Sequence, residues 1–222
     1  MIYRLDERNI FPHPSLADED GLLAIGGDLS TDRLLLAYQH GIFPWYSEES
    51  PILWYAPKER FVLDPDKLKI SKSMRQLIRS NKLTTRHDKA FEQVIENCAL
   101  IQRKDQEGSW ITDEMRKAYI RLHKLGFAHS FETYNQNGEL VGGLYGIQIG
   151  NIFCGESMFS KVSNASKLAL IYLCQQFSFS LIDCQIYSEH LTSLGAEKID
   201  ALIYYNELKK QTFNPHALAR TF

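Results

Sequence analysis

The sequence predicts an α+β fold with a mixed, mainly antiparallel sheet, and three observations predict it. First, Asn135-Gln-Asn-Gly138 is a hairpin signal between apolar runs at Ala128–Tyr134 and Glu139–Ile149. Second, Gly150-Asn151 turns the chain into another run, Ile152–Phe159, which completes a three-stranded antiparallel meander. Third, helical spacing over Ala165–Phe177 leads into a short buried strand, Leu181–Tyr187 (LIDCQIY). Weaker helices follow at Glu189–Leu194, ended by Gly195, and at Ala201–Lys210. Meander, helix, strand and helix in this order make an α+β arrangement.

Composition sets the outer limits. The 222 residues suffice for one large domain, or one domain plus a small one. A hydrophobic content of 44% and a charged content of 23% are those of a globular chain. No apolar run reaches membrane-spanning length, and MIYRLDERNIF lacks the apolar centre of a signal peptide. A soluble, cytoplasmic protein is expected. Cys98, Cys154, Cys174 and Cys184 form no CxxC pair and no zinc spacing, which sets aside a disulfide framework and structural zinc. The net charge of −2 argues against a surface that is basic throughout, yet leaves room for a local patch that holds RNA.

The first sixty residues have a different texture, with five of the seven prolines and two of the three tryptophans. FPHP, GLLAIGGDLS and HGIFPWYSEESPILWYAP surround one helix, Thr31–His40, capped by Asp28 or Ser30 and stopped by Gly41. A small, mostly irregular N-terminal domain over residues 1–60 is expected, with a larger domain over 61–222. Trp45, between Pro44 and Tyr46, suits a surface on which a base could stack. Trp110, in the polar loop QRKDQEGSWIT, reads as a lid on the core or as a contact surface.

Downstream the chain turns basic. A helix from Lys72 to about Lys82, capped by Ser71, places Lys72, Arg75, Arg79 and Lys82 on one face. Met74, Leu77 and Ile78 take another face and should point inward. The charged face is either simply solvated or a polyanion contact. Two amphipathic helices come next, one lined by Phe91, Val94, Ile95 and Cys98, the other starting at Thr112 with Asp113 and Glu114 in its first turn and ending before Gly126.

Candidate chemistry gathers at Gly150–Lys167 (GNIFCGESMFSKVSNASK), where Glu156 stands among apolar neighbours and Gly155 suggests a bulge. Ser163 or Asn164 offers an N-cap for the helix that follows. Cys154, Glu156 and Ser157 are the first suspects there. A Cys154–His129 pair is conceivable across the meander, but cysteine is among the most buried and inert residue types. On LIDCQIY, Asp183 and Gln185 share one face, either as a satisfied buried pair or as a site wall. No HExxH, GxGxxG or P-loop occurs, so no metal or nucleotide site is expected.

Together these motifs carry a resemblance. GLLAIGGDLS, LLLAYQHGIFPWYSEESPILWYAP, GSWIT, RLHKLGFAHSFE, LVGGLYGIQIGNIFCGESMFS, NASKLAL, LIDCQ and HLTSLGA occur in order between about Gly21 and Ala196. The chain thereby resembles the bacterial leucyl/phenylalanyl-tRNA–protein transferases. The resemblance implies a GNAT-like, acetyltransferase-type larger domain and no metal or organic cofactor. It implies aminoacyl-tRNA carrying Leu or Phe as donor, with proteins beginning in Lys or Arg as acceptors. It also implies a product that enters the N-end rule route of degradation, and a monomer is expected. By position, Tyr38, Trp45 and Trp110 match contacts to the terminal adenosine of the tRNA. Leu144, Phe153, Met158, Leu170, Leu173 and Ile182 match the amino-acid pocket. Glu156 matches a carboxylate near the aminoacyl group, and Asp183 and Gln185 match the pair assigned to catalysis. After SLGA the family runs on to an Arg, whereas this chain reads Ile199-Asp200-Ala201.

The expected mechanism is direct aminolysis. The tRNA ester is already activated, and an α-amine of ordinary pKa, about 7.7–8, is partly neutral near pH 7. Gln185 would accept a hydrogen bond from the amine, while Asp183 orients Gln185 or takes the proton. Glu156 would hold the α-ammonium of the aminoacyl group or help place the acceptor. An acyl-CoA-dependent acyltransferase and a non-catalytic tRNA-binding module are the competing classes. The acyl-CoA reading lacks the Q/RxxGxG/A loop that a pyrophosphate would need.

Overall fold

In the computed structural model, which describes residues 2–101 and 111–211, the chain builds two sheets. The first contains β1 (Tyr3–Leu5), β2 (Leu22–Gly26), β3 (Phe43–Pro44) and β4 (Leu53–Tyr55), in the order β1-β2-β4-β3. Helix α1 (Thr31–Gln39) lies between β2 and β3. The second sheet contains β5 (Glu59–Leu63), β6 (Leu83–His87), β7 (Ala128–Asn135), β8 (Leu140–Ile149), β9 (Ile152–Ser160), β10 (Leu181–Gln185) and β11 (Glu197–Asp200). Its order is β11-β5-β10-β9-β8-β7-β6, and β9–β10 is the one parallel pair in it. Helices α2 (Lys72–Arg79), α3 (Phe91–Leu100), α4 (Asp113–Lys124), α5 (Ala165–Gln176), α6 (Glu189–Thr192) and α7 (Ala201–Lys209) complete the described chain. The mainly antiparallel, mixed α+β class is what the sequence predicts.

Strand alternation divides the core between the faces of the larger sheet. Leu144, Phe131 and Phe153 pack with Leu170 and Leu173 of α5. Tyr145, Ile147 and Cys154 pack with α1, α3, α4 and the buried residues of the first sheet. Helix α5 sits very close to β8, because a Cβ at Gly142 would fall 2.4 Å from the Ala165 Cβ. Only glycine tolerates that approach.

The structure corrects several expectations. The N-terminal segment is mostly irregular by residue, as expected, but its short strands pair into a four-stranded sheet that the sequence does not announce. Its strands are two to five residues long and broken by proline, too short to show a period of two. Strands β5, β6 and β11 also lack a clear alternation, and the sequence does not announce them. Helix α2 ends at Arg79, because Ser80 is its C-cap and Asn81 adopts φ 50°, so Lys82 lies beyond it. Strand β10 stops at Gln185, not Tyr187, where φ turns to 64°. Asn164 does hold the N-cap position of α5, but its side chain makes no capping bond. Ser160 of β9 supplies that bond, its Oγ accepting from the Ser166 N–H at 2.8 Å. Asp200, at the point where the family pattern is left, caps α7 by accepting from the Leu202 N–H at 2.7 Å.

Candidate active site

The site grows from a bulge. Along β8–β9 the register runs Tyr145↔Ser157 and then Gly146↔Gly155, which leaves Glu156 as the extra residue. Gly146 makes the bulge possible, since a Cβ there would stand 2.2 Å from the Cys154 carbonyl oxygen. Glu156 is 8% exposed. Its Oε2 accepts from the Tyr119 hydroxyl at 3.0 Å and its Oε1 from the Gln185 amide nitrogen at 2.6 Å. The Tyr38 and Tyr119 hydroxyls are hydrogen-bonded to each other. Burial pushes the Glu156 carboxyl up to about 7, against the downward pull of Tyr38, Tyr119 and Gln185, with Asp183 adding an upward push.

Gln185 ends β10 in the left-handed region, and the β5–β10 register slips between Asp183 and Gln185. A non-glycine residue held there signals a constrained position of the kind found at functional sites. Its backbone N–H donates to Asp183 Oδ1 at 2.9 Å. Its amide nitrogen faces Glu156 as a donor, so the side-chain carbonyl turns elsewhere.

Asp183 is fully buried and saturated. Oδ1 takes Arg60 Nε at 2.8 Å as well as the Gln185 N–H, while Oδ2 takes Arg60 Nη2 at 2.7 Å and the Tyr204 hydroxyl at 2.7 Å. Arg60 donates onward to the Gly41 carbonyl at 3.0 Å, and its guanidinium lies over the Phe43 and Tyr204 rings. Burial works against the Arg60 charge, but Asp183 outweighs it and raises the guanidinium above its ordinary value.

A cavity of about 730 Å³ opens beside this network. Leu144, Phe153, Met158, Leu170 and Ile182 form apolar walls, Glu156 and Gln185 are polar points on them, and Trp45 stands at the N-terminal side. Asp183 is not among the lining residues. An apolar cleft with a few convergent polar groups, one with a shifted pKa, is the usual form of a small-ligand or catalytic site.

Comparison with known proteins shows the family of the chain. The profile of the family described as leucyl/phenylalanyl-tRNA protein transferase matches residues 62–209, and that of its N-terminal domain matches residues 27–58. The chain belongs to this family. A leucyl/phenylalanyl-tRNA–protein transferase of Maridesulfovibrio salexigens is 49% identical over 97% of this chain and 91% of its own length. Those of Syntrophus aciditrophicus and Flavobacterium psychrophilum are 53% and 52% identical, over 93% and 90% of this chain and 87% and 96% of theirs. Among solved structures, L-PGS from Bacillus licheniformis aligns with a TM-score of 0.39 and 13% identity, over 91% of this chain and 65% of that one. That likeness is too loose to bear on function.

The structure brings together some of the residues the sequence singles out and separates others. Glu156 and Gln185 meet at the cavity, and five of the six pocket residues line it. Leu173 does not, because it is fully buried in the cluster behind the wall. Tyr38 has no ring face for an adenosine, being 1% exposed with its hydroxyl spent on Tyr119. Trp110 lies outside the described residues. Lys72, Arg75 and Arg79 are exposed around one shallow cleft, while Lys82 is exposed past the helix end. Cys154 is fully buried against the Tyr204 hydroxyl at 3.7 Å, and burial raises its thiol well above the ordinary value. Its conceivable partner His129 is instead bonded to Asp88 at 2.7 Å, so no Cys–His pair forms. Ser157 lines the cavity. Arg60, Tyr119 and Tyr204 carry no local signal in the sequence. Arg60 sits 123 residues from the carboxylate it serves.

Proposed function

We propose that the protein transfers leucine or phenylalanine from aminoacyl-tRNA to the α-amine of proteins beginning with Lys or Arg, by direct aminolysis of the tRNA ester. The observation that carries this reading is the junction of an apolar pocket with the Glu156–Gln185 pair. The pocket takes the side chain of the donor amino acid at Leu144, Phe153, Met158, Leu170 and Ile182. A charged side chain entering it would lose its hydration without a partner, at a cost of several kcal/mol. Leu, Phe and Met differ less, since one methylene is worth only about 1–3 kcal/mol. Trp45 stacks on the terminal adenosine, and Lys72, Arg75, Arg79 and Lys82 meet the tRNA backbone.

Gln185 accepts a hydrogen bond from the attacking amine through its side-chain carbonyl. Asp183 orients Gln185 through the backbone N–H rather than taking a proton, because all its acceptor positions are occupied. Holding amine and ester in a near-attack geometry supplies on the order of 7–11 kcal/mol, so no covalent intermediate is needed. Residues 1–60 form the domain that faces the tRNA end, and residues 61–222 the catalytic domain. The protein acts as a cytoplasmic monomer, and its product enters N-end rule degradation.

Multiple-turnover transfer of labelled leucine to an Arg-starting peptide tests the reading. Transfer to Arg- and Lys-starting peptides, with none to a peptide of acetylated N-terminus, is expected. Gln185→Ala should lower transfer by on the order of 10²-fold while leaving aminoacyl-tRNA affinity nearly unchanged. Equal losses in rate and affinity would remove Gln185 from the reaction.

A further inference from the structure

The attacking amine must shed a proton, and two buried carboxylates stand on the parallel strands β9 and β10. They differ in what they can still accept. Each Asp183 oxygen already takes two donors, one guanidinium neutralises the charge, and the residue does not reach the cavity. A carboxylate offers about four lone-pair positions, so none is left. Glu156 lines the cavity, its two bonds at 2.6 and 3.0 Å come from neutral donors, and among the described residues no cation pairs with it. It keeps the capacity to accept another hydrogen.

We propose that Glu156 is the general base of the transfer reaction, with Tyr119 and Tyr38 as the residues that position its carboxylate. The proposal rests on the aminolysis reading above. The neutral amine nitrogen attacks the ester carbonyl, and the C–N bond forms. One amine proton passes to Glu156 as the tetrahedral intermediate develops. The C–O3′ bond then breaks, and the Glu156 carboxylic acid returns the proton to the departing O3′ oxygen. The products are the amide and the free 3′-hydroxyl, and Glu156 ends as it began. A group working in both directions serves best when its pKa lies near the working pH, and burial pushes Glu156 up to about 7.

Several groups act on that titration. The hydroxyls of Tyr38 and Tyr119 face Glu156 from α1 and α4, and Tyr145 of β8 packs edge-on to the Tyr119 ring. Gln185 and the Asp183 charge face it from β10, and Cys154 lies on its own strand. Lys167 of α5 and His190 of α6 line the same cavity.

Single-turnover transfer from leucyl-tRNA to an Arg-starting peptide, followed from about pH 5 to about pH 9, tests the assignment. In the wild type both the acceptor amine and Glu156 must be unprotonated, so the logarithm of the rate should rise with a slope of about two on the acid side. Glu156→Gln should be slower by on the order of 10²-fold and show a slope of about one. Tyr119→Phe keeps the ring but removes a donor that favours the carboxylate, so the Glu156 limb should move to higher pH. A Glu156→Gln enzyme that keeps a slope of two, or stays within about threefold of wild type, overturns the proposal. So does Tyr119→Phe if it lowers the rate equally at every pH without moving the limb. A wild type that transfers nothing near pH 8 would sink the aminolysis reading instead.

Discussion

Asp183 and Glu156 are carboxylates on adjacent strands, both nearly or fully buried, yet their surroundings differ in kind. The Asp183 side is closed, with Arg60, Tyr204 and a backbone N–H filling every acceptor position. The Glu156 side meets the cavity and is held by neutral hydroxyl and amide donors. A fixed ion pair makes a frame, whereas a carboxylate without a cation can change its charge. Gln185 joins the two, its backbone bound to one and its side chain to the other.

Removing the frame should have the largest effect. Arg60→Met leaves the Asp183 charge buried and unpaired, which should cost about 3–5 kcal/mol in urea unfolding. Adding Asp183→Leu should recover most of that loss. A single-variant loss below about 1 kcal/mol would break the picture of a closed ion pair.

The next effect sharpens the contrast through pH. The folded pKa of Glu156, about 7, lies above the ordinary carboxylate value, so its stabilising contribution is full below about pH 4 and is lost as pH rises through about 7. Across that window wild type should lose on the order of 3 kcal/mol relative to Glu156→Gln. Parallel stability curves for the two proteins would mean that Glu156 does not titrate in this range. The smallest effect concerns the thiol on the closed side. Cys154→Ser should keep kcat within roughly threefold of wild type, and a folded but inactive variant would restore cysteine chemistry.

Much of this arrangement is legible in the chain. The hairpin at Asn135–Gly138, the apolar runs on either side of Gly150-Asn151 and the helical spacing after Asn164 are local features, and the fold class follows from them. The apolar walls at Leu144, Phe153 and Ile182 follow from the family resemblance rather than from alternation, because their strands read as apolar runs. Burial in the folded chain then decides which of the large residues reach the cavity. Leu170 does and Leu173 does not, although they are one turn apart on α5. Tyr38 shows the same limit, since helical spacing places it on a face without saying whether that face meets ligand or core.

The division of labour between the two carboxylates depends on contacts distant in sequence. Asp183 acquires its partner from β5, a strand whose ERFVL sequence shows little alternation and whose place between β10 and β11 comes only from pairing. Glu156 acquires its aim from a bulge, which is a mismatch between two strands and cannot be read from either one alone. Residue types and their local periods follow from the sequence itself. Which buried charge is locked and which is left open follows from register, because one slipped residue decides what each side chain meets.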